Sequence, residues 1–344
     1  MPHDAYVASK RQIVVDALGR AGVTAEVASV IETPPHSRRR AVFKIKSLPE
    51  GLQIGFHAAR SHTIVDMHAC GILTPGLFAL VGKLRAKLEP IFGVGESAEL
   101  HVLECDNGFD AAFRWSRKLQ PNLVTLLSQA LAPTGIIRLA LGNEPVFEIA
   151  TPIITFSLVA LPNGNAPGPA AVKPPPQSFL QPTRAGEAAL QDAVLAMTAK
   201  AKTVLDLFSG LGTFTLPLAA AAKVHAVETE KTTLTALAAA AKSAKGLKPV
   251  TTEARDLFKA PLTALELNAY DAVVLDPPRA GAEAQARTLA ASKVRRVAYV
   301  SCDAASFARD AAILVKGGFT LGPVTPVDQF LFSSHIELVA EFRR

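Results

Sequence analysis

The chain has 344 residues, 49% hydrophobic and 19% charged, with 36 Lys and Arg against 30 Asp and Glu for a net charge of +6. It is long enough for two full cores, and with no charge-free apolar run of about 18 residues and no basic-then-apolar leader pattern, a cytoplasmic protein without a membrane partner is expected. Three cysteines, none in a Cys-x-x-Cys pair, argue against a disulfide framework and against a complete protein-only metal site, while the positive balance favours a polyanionic partner such as nucleic acid.

The chain opens on an amphipathic helix over residues 6–21, with Ile13, Val14, Ala17 and Leu18 at helical spacing. Residues 41–46 then alternate, placing Ala41, Phe43 and Ile45 on one face and basic residues on the other. A turn at residues 47–51 returns the chain into 52–57, giving a hairpin with one basic face. Arg38, Arg39 and Arg40, with Lys44 and Lys46, are the candidate contacts for a phosphate backbone, which positions nucleic acid without reading it. A second hairpin is expected from 99–104 and 111–115, so the upstream part reads as α+β with antiparallel strands. The Pro- and Gly-rich stretch 162–169, followed by Pro174-Pro175-Pro176, can hold neither helix nor central strand and sets a boundary between domains 1–170 and 171–344. The N-terminal helix is free in this reading to pack on the second domain.

Downstream the pattern alternates. Residues 203–207, 224–227, 272–275 and 297–300 are short apolar strands separated by alanine-rich helical stretches, the signature of a doubly wound parallel sheet. A closing antiparallel pair is expected from 321–329 and 335–342. The first strand runs into a turn, Phe208-Ser209-Gly210-Leu211-Gly212-Thr213, whose glycines Gly210 and Gly212 let the backbone approach a ligand closely. Glu228 ends the second strand, where a carboxylate can accept both hydroxyls of a ribose, and Asp256 follows the third strand at the adenine end. The missing third glycine disfavours a dinucleotide, and S-adenosylmethionine, which carries no phosphate, suits the site better.

Asp276-Pro277-Pro278-Arg279 ends the fourth strand at the carboxyl edge, where open parallel sheets bind ligands. Such a turn also serves enzymes that methylate amino nitrogens. Cys302, in Tyr299-Val300-Ser301-Cys302-Asp303 after the next strand, separates the possibilities. Carbon 5 of uracil cannot attack a sulfonium methyl unaided, but a thiolate added to carbon 6 turns it into an enolate-like carbon that can. A base must then remove the carbon 5 proton, and Glu337, in Ser333-Ser334-His335-Ile336-Glu337, is the candidate.

From Gln181 onward the chain resembles the RNA uracil-C5 methyltransferase family. The motifs that carry the resemblance are Phe179-Leu180-Gln181-Pro182-Thr183, the 206–214 turn, Asp276-Pro277-Pro278-Arg279, Tyr299-Val300-Ser301-Cys302, Ala308-Arg309-Asp310 and His335-Ile336-Glu337. The upstream half is similar to the same family more loosely, through Arg38-Arg39-Arg40 and residues 55–66. The resemblance implies a Rossmann-like class I methyltransferase domain in which Gln181, Phe208, Thr213, Glu228, Asp256 and Asp276 contact S-adenosylmethionine, Cys302 is the nucleophile and Glu337 the base. Thr183 and Thr213 stand where many members have asparagine.

Ribosomal-RNA members commonly carry an N-terminal barrel and a cysteine triplet that, with a fourth cysteine, holds an iron-sulfur centre. Cys70 matches the fourth ligand, but one thiolate cannot retain a four-iron cluster. No cluster is expected: either the chain is a shortened form, the favoured reading, with Cys70 a remnant ligand, or this lineage has discarded the centre. The substrate implied is a uridine in structured RNA, ribosomal first and transfer RNA second. Cytosine carbon 5 is a further reading, although enzymes of that kind usually carry a cysteine in the Asp276 turn as well. A non-catalytic RNA-binding factor is another.

Overall fold

A computed structural model of the chain describes residues 2–58, 61–142, 144–158 and 168–344. It forms two compact units, one made of residues 1–33, 155–172 and 185–344 and the other of 34–154 with 173–184. This differs from a single cut after residue 170, because both the start of the chain and the segment after Val172 cross it. The stretch 162–167 lies outside the described residues.

Helix α1 (His3–Arg20) and strand β1 (Ile31–Glu32) belong to the larger unit. Buried Val14, Ala17 and Leu18 on one face of α1 join its core. The chain then builds the smaller unit from β2 (Arg40–Leu48), β3 (Gly51–His57), β4 (Ile64–Asp66), α2 (Pro75–Leu88), β5 (Ser97–Cys105), β6 (Gly108–Trp115), α3 (Pro121–Leu131), β7 (Ile136–Leu141) and β8 (Glu144–Glu148). These strands make one sheet in the order β4-β3-β2-β5-β6-β7-β8. Both expected hairpins are present as antiparallel pairs, but β6 pairs with β7 in parallel, which period-two patterning cannot foresee. Ala41, Phe43 and Ile45 point into a core that α2 and α3 cover. Thr74 caps α2 by accepting from the Leu77 amide, with Pro75 fitting the first turn, where no amide partner is needed.

The larger unit resumes with β9 (Ile154–Phe156) and β10 (Ala170–Val172), which pair with each other, and continues through α4 (Arg184–Thr198), β11 (Thr203–Leu207), α5 (Thr215–Ala219), β12 (Lys223–Glu228), α6 (Lys231–Ser243), β13 (Val250–Ala254), α7 (Ala264–Leu267), β14 (Ala272–Leu275), α8 (Glu283–Ala291), β15 (Arg296–Ser301), α9 (Ala304–Lys316), β16 (Thr320–Leu321), β17 (Thr325–Asp328) and β18 (Glu337–Arg343). Its sheet runs β1-β17-β18-β15-β14-β11-β12-β13, parallel throughout β15-β14-β11-β12-β13 and antiparallel at β18. Strand residues alternate between two cores. Leu205, Leu207, Val273 and Tyr299 face α1, α8 and α9, while Val204, Val274, Ala298 and Val300 face α4 and α5. Burial on both faces explains why these strands read as unbroken apolar runs. The strand order reverses between β11 and β14, the switch point at which loops from adjacent strands diverge and leave a crevice.

Among the described residues no helix is long and apolar enough to cross a membrane.

Candidate active site

The turn after β11 is shaped by three left-handed residues, Phe208 at φ +62°, Gly210 at +52° and Gly212 at +93°. The two glycines are required for different reasons. At Gly212 a Cβ would lie 2.3 Å from Leu237 Cδ1, so the turn is packed against α6. At Gly210 a Cβ would meet nothing within 4 Å, so the backbone there borders open space, as a ligand-facing glycine should. The Gly210 amide donates to Glu228 Oε2 at 3.1 Å, tying the turn to the end of β12. Asp206 is fully buried, its Oδ2 accepts from Thr215 Oγ1 at 2.5 Å, and its Oδ1 has no partner. Burial pushes its carboxyl up to about 7. Thr213 is buried, and its carbonyl accepts from Gln191 Nε2 at 2.8 Å.

Asp256, just past β13, accepts the amides of Phe258 and Lys259 and pairs with the Lys259 ammonium at 3.2 Å. Its carboxyl lies below the usual range, chiefly through Lys259. The exposed Phe258 ring lies 5.6 Å from that of Phe208, so an aromatic pair stands between the first and third strand ends. Phe258 escaped the sequence reading, although its place two residues after Asp256 could have flagged it. No cation occurs in the 208–214 turn, and the acidic groups at the neighbouring strand ends suit a phosphate-free adenosyl ligand. Gln181 belongs to the smaller unit, where it is buried and its carbonyl accepts from Arg39 Nε at 3.2 Å.

Three of the candidate site residues, Asp276, Cys302 and Glu337, converge at the carboxyl ends of β14 and β15. Ser301 registers with Leu338 across the antiparallel β15–β18 pair, which sets Cys302 beside Glu337. The Asp276 amide is anchored by the Leu207 carbonyl at 3.3 Å. Glu337 is 2% exposed, and burial, with Asp276 adding to it, holds its carboxyl well above the usual range. Burial also pushes the Cys302 thiol up to about 12, reinforced by Glu337 and Asp276 and opposed by Arg279. Arg279 is exposed and reaches Asp303 Oδ2 at 3.7 Å and His335 Nδ1 at 3.4 Å.

The Ala308-Arg309-Asp310 motif explains how the Asp276 loop keeps its shape. The fully buried Asp310 Oδ2 accepts from the Ala282 amide and from Tyr299 Oη, both at 2.7 Å, and Arg309 Nη2 donates to the Ala280 carbonyl at 2.9 Å. Gly281, at φ +75°, admits this clamp, because a Cβ would lie 2.7 Å from Asp310 Oδ2. Helix α9, capped by Asp303 accepting from the Ser306 amide at 2.9 Å, thus fixes two loops of the site at once.

A thiol held this high is protonated at neutral pH. Alkylation of Cys302 by iodoacetamide in the RNA-free protein, followed by peptide mass spectrometry, is therefore expected to rise about tenfold per pH unit between pH 7 and 9 without a plateau. A plateau near pH 7 would show a thiolate already formed.

The basic residues of the smaller unit fall differently from the sequence expectation. Arg39 is 2% exposed and holds the Gln181 carbonyl, so it braces the protein and is not available to a phosphate. Arg38 is partly buried, donates to the Arg40 carbonyl at 3.0 Å, and is lowered by burial. Arg40 stacks 4.5 Å over the Phe179 ring and is lowered to about 10 by burial and then by its arginine neighbours. Lys44 is paired with Glu99, and Lys46 is exposed on the same sheet face. The alternation was legible in sequence, but the cross-strand acid and the segment that packs over Arg40 were not. Cys70 is half-buried and Cys105 buried, and among the described residues no group of three or more His, Cys, Asp or Glu could hold a metal ion.

Sequence reasoning also missed a buried cluster at the start of the loop that leads into Glu337. Lys10 of α1 is 1% exposed and donates to Asp328 Oδ1 at 2.8 Å, to the Phe330 carbonyl at 2.9 Å and to the His335 carbonyl at 2.7 Å. Tyr6 donates to the other Asp328 oxygen, and Thr33 Oγ1 donates to the Asp328 carbonyl at 2.6 Å. These bonds, with β1 pairing to β17, explain why residues 1–33 belong with the larger unit.

Residues 171–340 match the family model described as tRNA (uracil-5-)-methyltransferase. The chain is 42% identical over 339 residues to an uncharacterised RNA methyltransferase of Rhizobium meliloti, covering 98% of this chain and 79% of the relative. It is 33% identical to a 23S rRNA (uracil(1939)-C(5))-methyltransferase of Halomonas elongata, covering 95% and 70% of the two chains. In structure it is similar to the Pyrococcus abyssi tRNA (uracil-54, C5)-methyltransferase in complex with S-adenosyl-L-homocysteine, with a TM-score of 0.73, 19% identity and coverage of 99% of this chain and 84% of that one. With relatives aligned along almost its whole length, the chain belongs to the RNA (uracil-C5-)-methyltransferase family.

Proposed function

We propose that this protein transfers a methyl group from S-adenosylmethionine to carbon 5 of a uridine in ribosomal RNA. The observation that carries the reading is the convergence of Cys302, Glu337 and Asp276 at the strand ends beside a glycine turn that opens onto free space. Phe208, Gly210, Gly212, Thr213, Glu228, Asp256 and Asp276 would hold the cofactor. When bound, it supplies a methyl group on a sulfonium sulfur.

Cys302 gives its proton to water and bonds through Sγ to carbon 6 of the base, which moves the carbon 5–carbon 6 electron pair toward the carbon 4 carbonyl and makes carbon 5 the nucleophile. Once carbon 5 is methylated, Glu337 takes its proton, the carbon 5–carbon 6 double bond re-forms, and the bond to Cys302 breaks. A buried carboxylate whose pKa is held high is a stronger base when ionised, which suits removal of a proton from carbon. The partly buried setting of Cys302 fits a base drawn out of its stack, since the reacting atoms of a stacked base are covered.

Ribosomal RNA is favoured by the 33% identity to a 23S rRNA enzyme, whereas the likeness to the transfer-RNA enzyme, at 19% identity, is one of fold. Methyl transfer from labelled S-adenosylmethionine to separate pools of unmodified ribosomal and transfer RNA tests both. The expected result is 5-methyluridine in the ribosomal pool. Product in the transfer-RNA pool alone would reassign the substrate, and 5-methylcytidine would reassign the base. Glu337→Gln is expected to lower turnover by about 10²- to 10⁴-fold and to accumulate a methylated protein–RNA adduct that survives a denaturing gel. Normal turnover by that variant would remove Glu337 from the role of base.

A further inference from the structure

Phe332 is the outlying feature of the loop that leads into Glu337. The residue is 74% exposed, and its backbone sits at φ +60°, where a residue with a Cβ is strained. An exposed aromatic neither fills the core nor needs this conformation, so the fold holds it there against local preference.

The holding contacts are specific. The Phe332 amide donates to Tyr6 Oη at 3.0 Å, and the two rings lie 6.0 Å apart at 43°. Tyr6 is in turn bonded to Asp328, which Lys10 pairs with from α1. Lys10 also fixes the Phe330 and His335 carbonyls on either side of Phe332. Ser333 closes the turn by donating to the Phe330 carbonyl at 2.7 Å. The loop is therefore built to present a ring to solvent, and the exposed guanidinium of Arg279 reaches the same loop at His335.

We propose that Phe332 is the platform on which a nucleobase neighbouring the target uridine stacks. The inference rests on the RNA-methylating reading above. Withdrawing one base from a stack leaves its neighbour with an uncovered face, and an aromatic held in place on the loop that leads into Glu337 replaces the lost contact at little entropic cost. The adjacent cation suits a polyanionic strand passing over the same loop.

The test measures two quantities on parent, Phe332→Ala and Phe332→Trp: equilibrium binding of in vitro transcribed 23S ribosomal RNA, and kcat and KM for methyl transfer to it. Removing a stacking ring should raise Kd and KM by about 5- to 150-fold, and Trp should restore both. S-adenosylmethionine affinity should stay at the parent value in both variants, which separates lost stacking from a damaged fold. Kd and KM for Phe332→Ala within twofold of the parent would overturn the inference, as would a parent that does not bind the RNA. A parent that binds RNA without transferring methyl would defeat the functional reading, while the Kd comparison would still decide the role of Phe332.

Discussion

Cys302→Ala is expected to lower formation of 5-methyluridine by more than about 10⁴-fold while leaving S-adenosylmethionine binding intact. The size follows from the substrate. Without a bond at carbon 6, carbon 5 has too little electron density to attack the methyl group, and no neighbouring side chain can substitute for a sulfur nucleophile. The fold should tolerate the change, because Cys302 lies beyond the end of β15 and is partly exposed, so little core is lost. Circular dichroism and cofactor titration on the same sample verify that the variant is folded. Residual product within tenfold of the parent would sink the covalent mechanism and favour direct methylation by the Asp276 loop.

Lys10→Met should be the most damaging single change away from the reacting groups, costing about 3–5 kcal/mol of stability, because it strands a buried carboxylate. Lys10 and Asp328 each have side chains 1% exposed, so water cannot replace the lost partner. Tyr6 would still donate to Asp328, which sets the lower end of that range. Urea denaturation reads the loss directly. The double variant Lys10→Met/Asp328→Leu should recover much of it, since a buried ion pair exchanged for apolar groups of similar volume is often neutral. A midpoint for Lys10→Met equal to the parent's would show that the pair is solvated. Because Lys10 also holds the His335 carbonyl, two residues before Glu337, a fall in kcat at temperatures where the variant remains folded would identify it as a positioning residue.

The sequence by itself determined the alternation of strands and helices in the larger unit and the placing of Glu228, Asp256, Asp276 and Cys302 at or just past successive strand ends. These are local properties. An apolar run of four to six residues bounded by a glycine turn is written in neighbouring residues, and the parallel sheet brings such ends to one edge whatever the detail. Tertiary structure decided the rest. Lys10 meets Asp328 across 318 positions of chain, a contact with no periodic signal, so residues 1–33 could be assigned to the larger unit only once the chain was folded. Arg39 looked equivalent to Arg38 and Arg40 until the Gln181–Pro182 segment covered it. The upward shifts of Glu337 and Cys302 likewise come from burial beside Asp276, a property of packing that residue type and spacing do not carry, because desolvation depends on what else the fold brings near the charge.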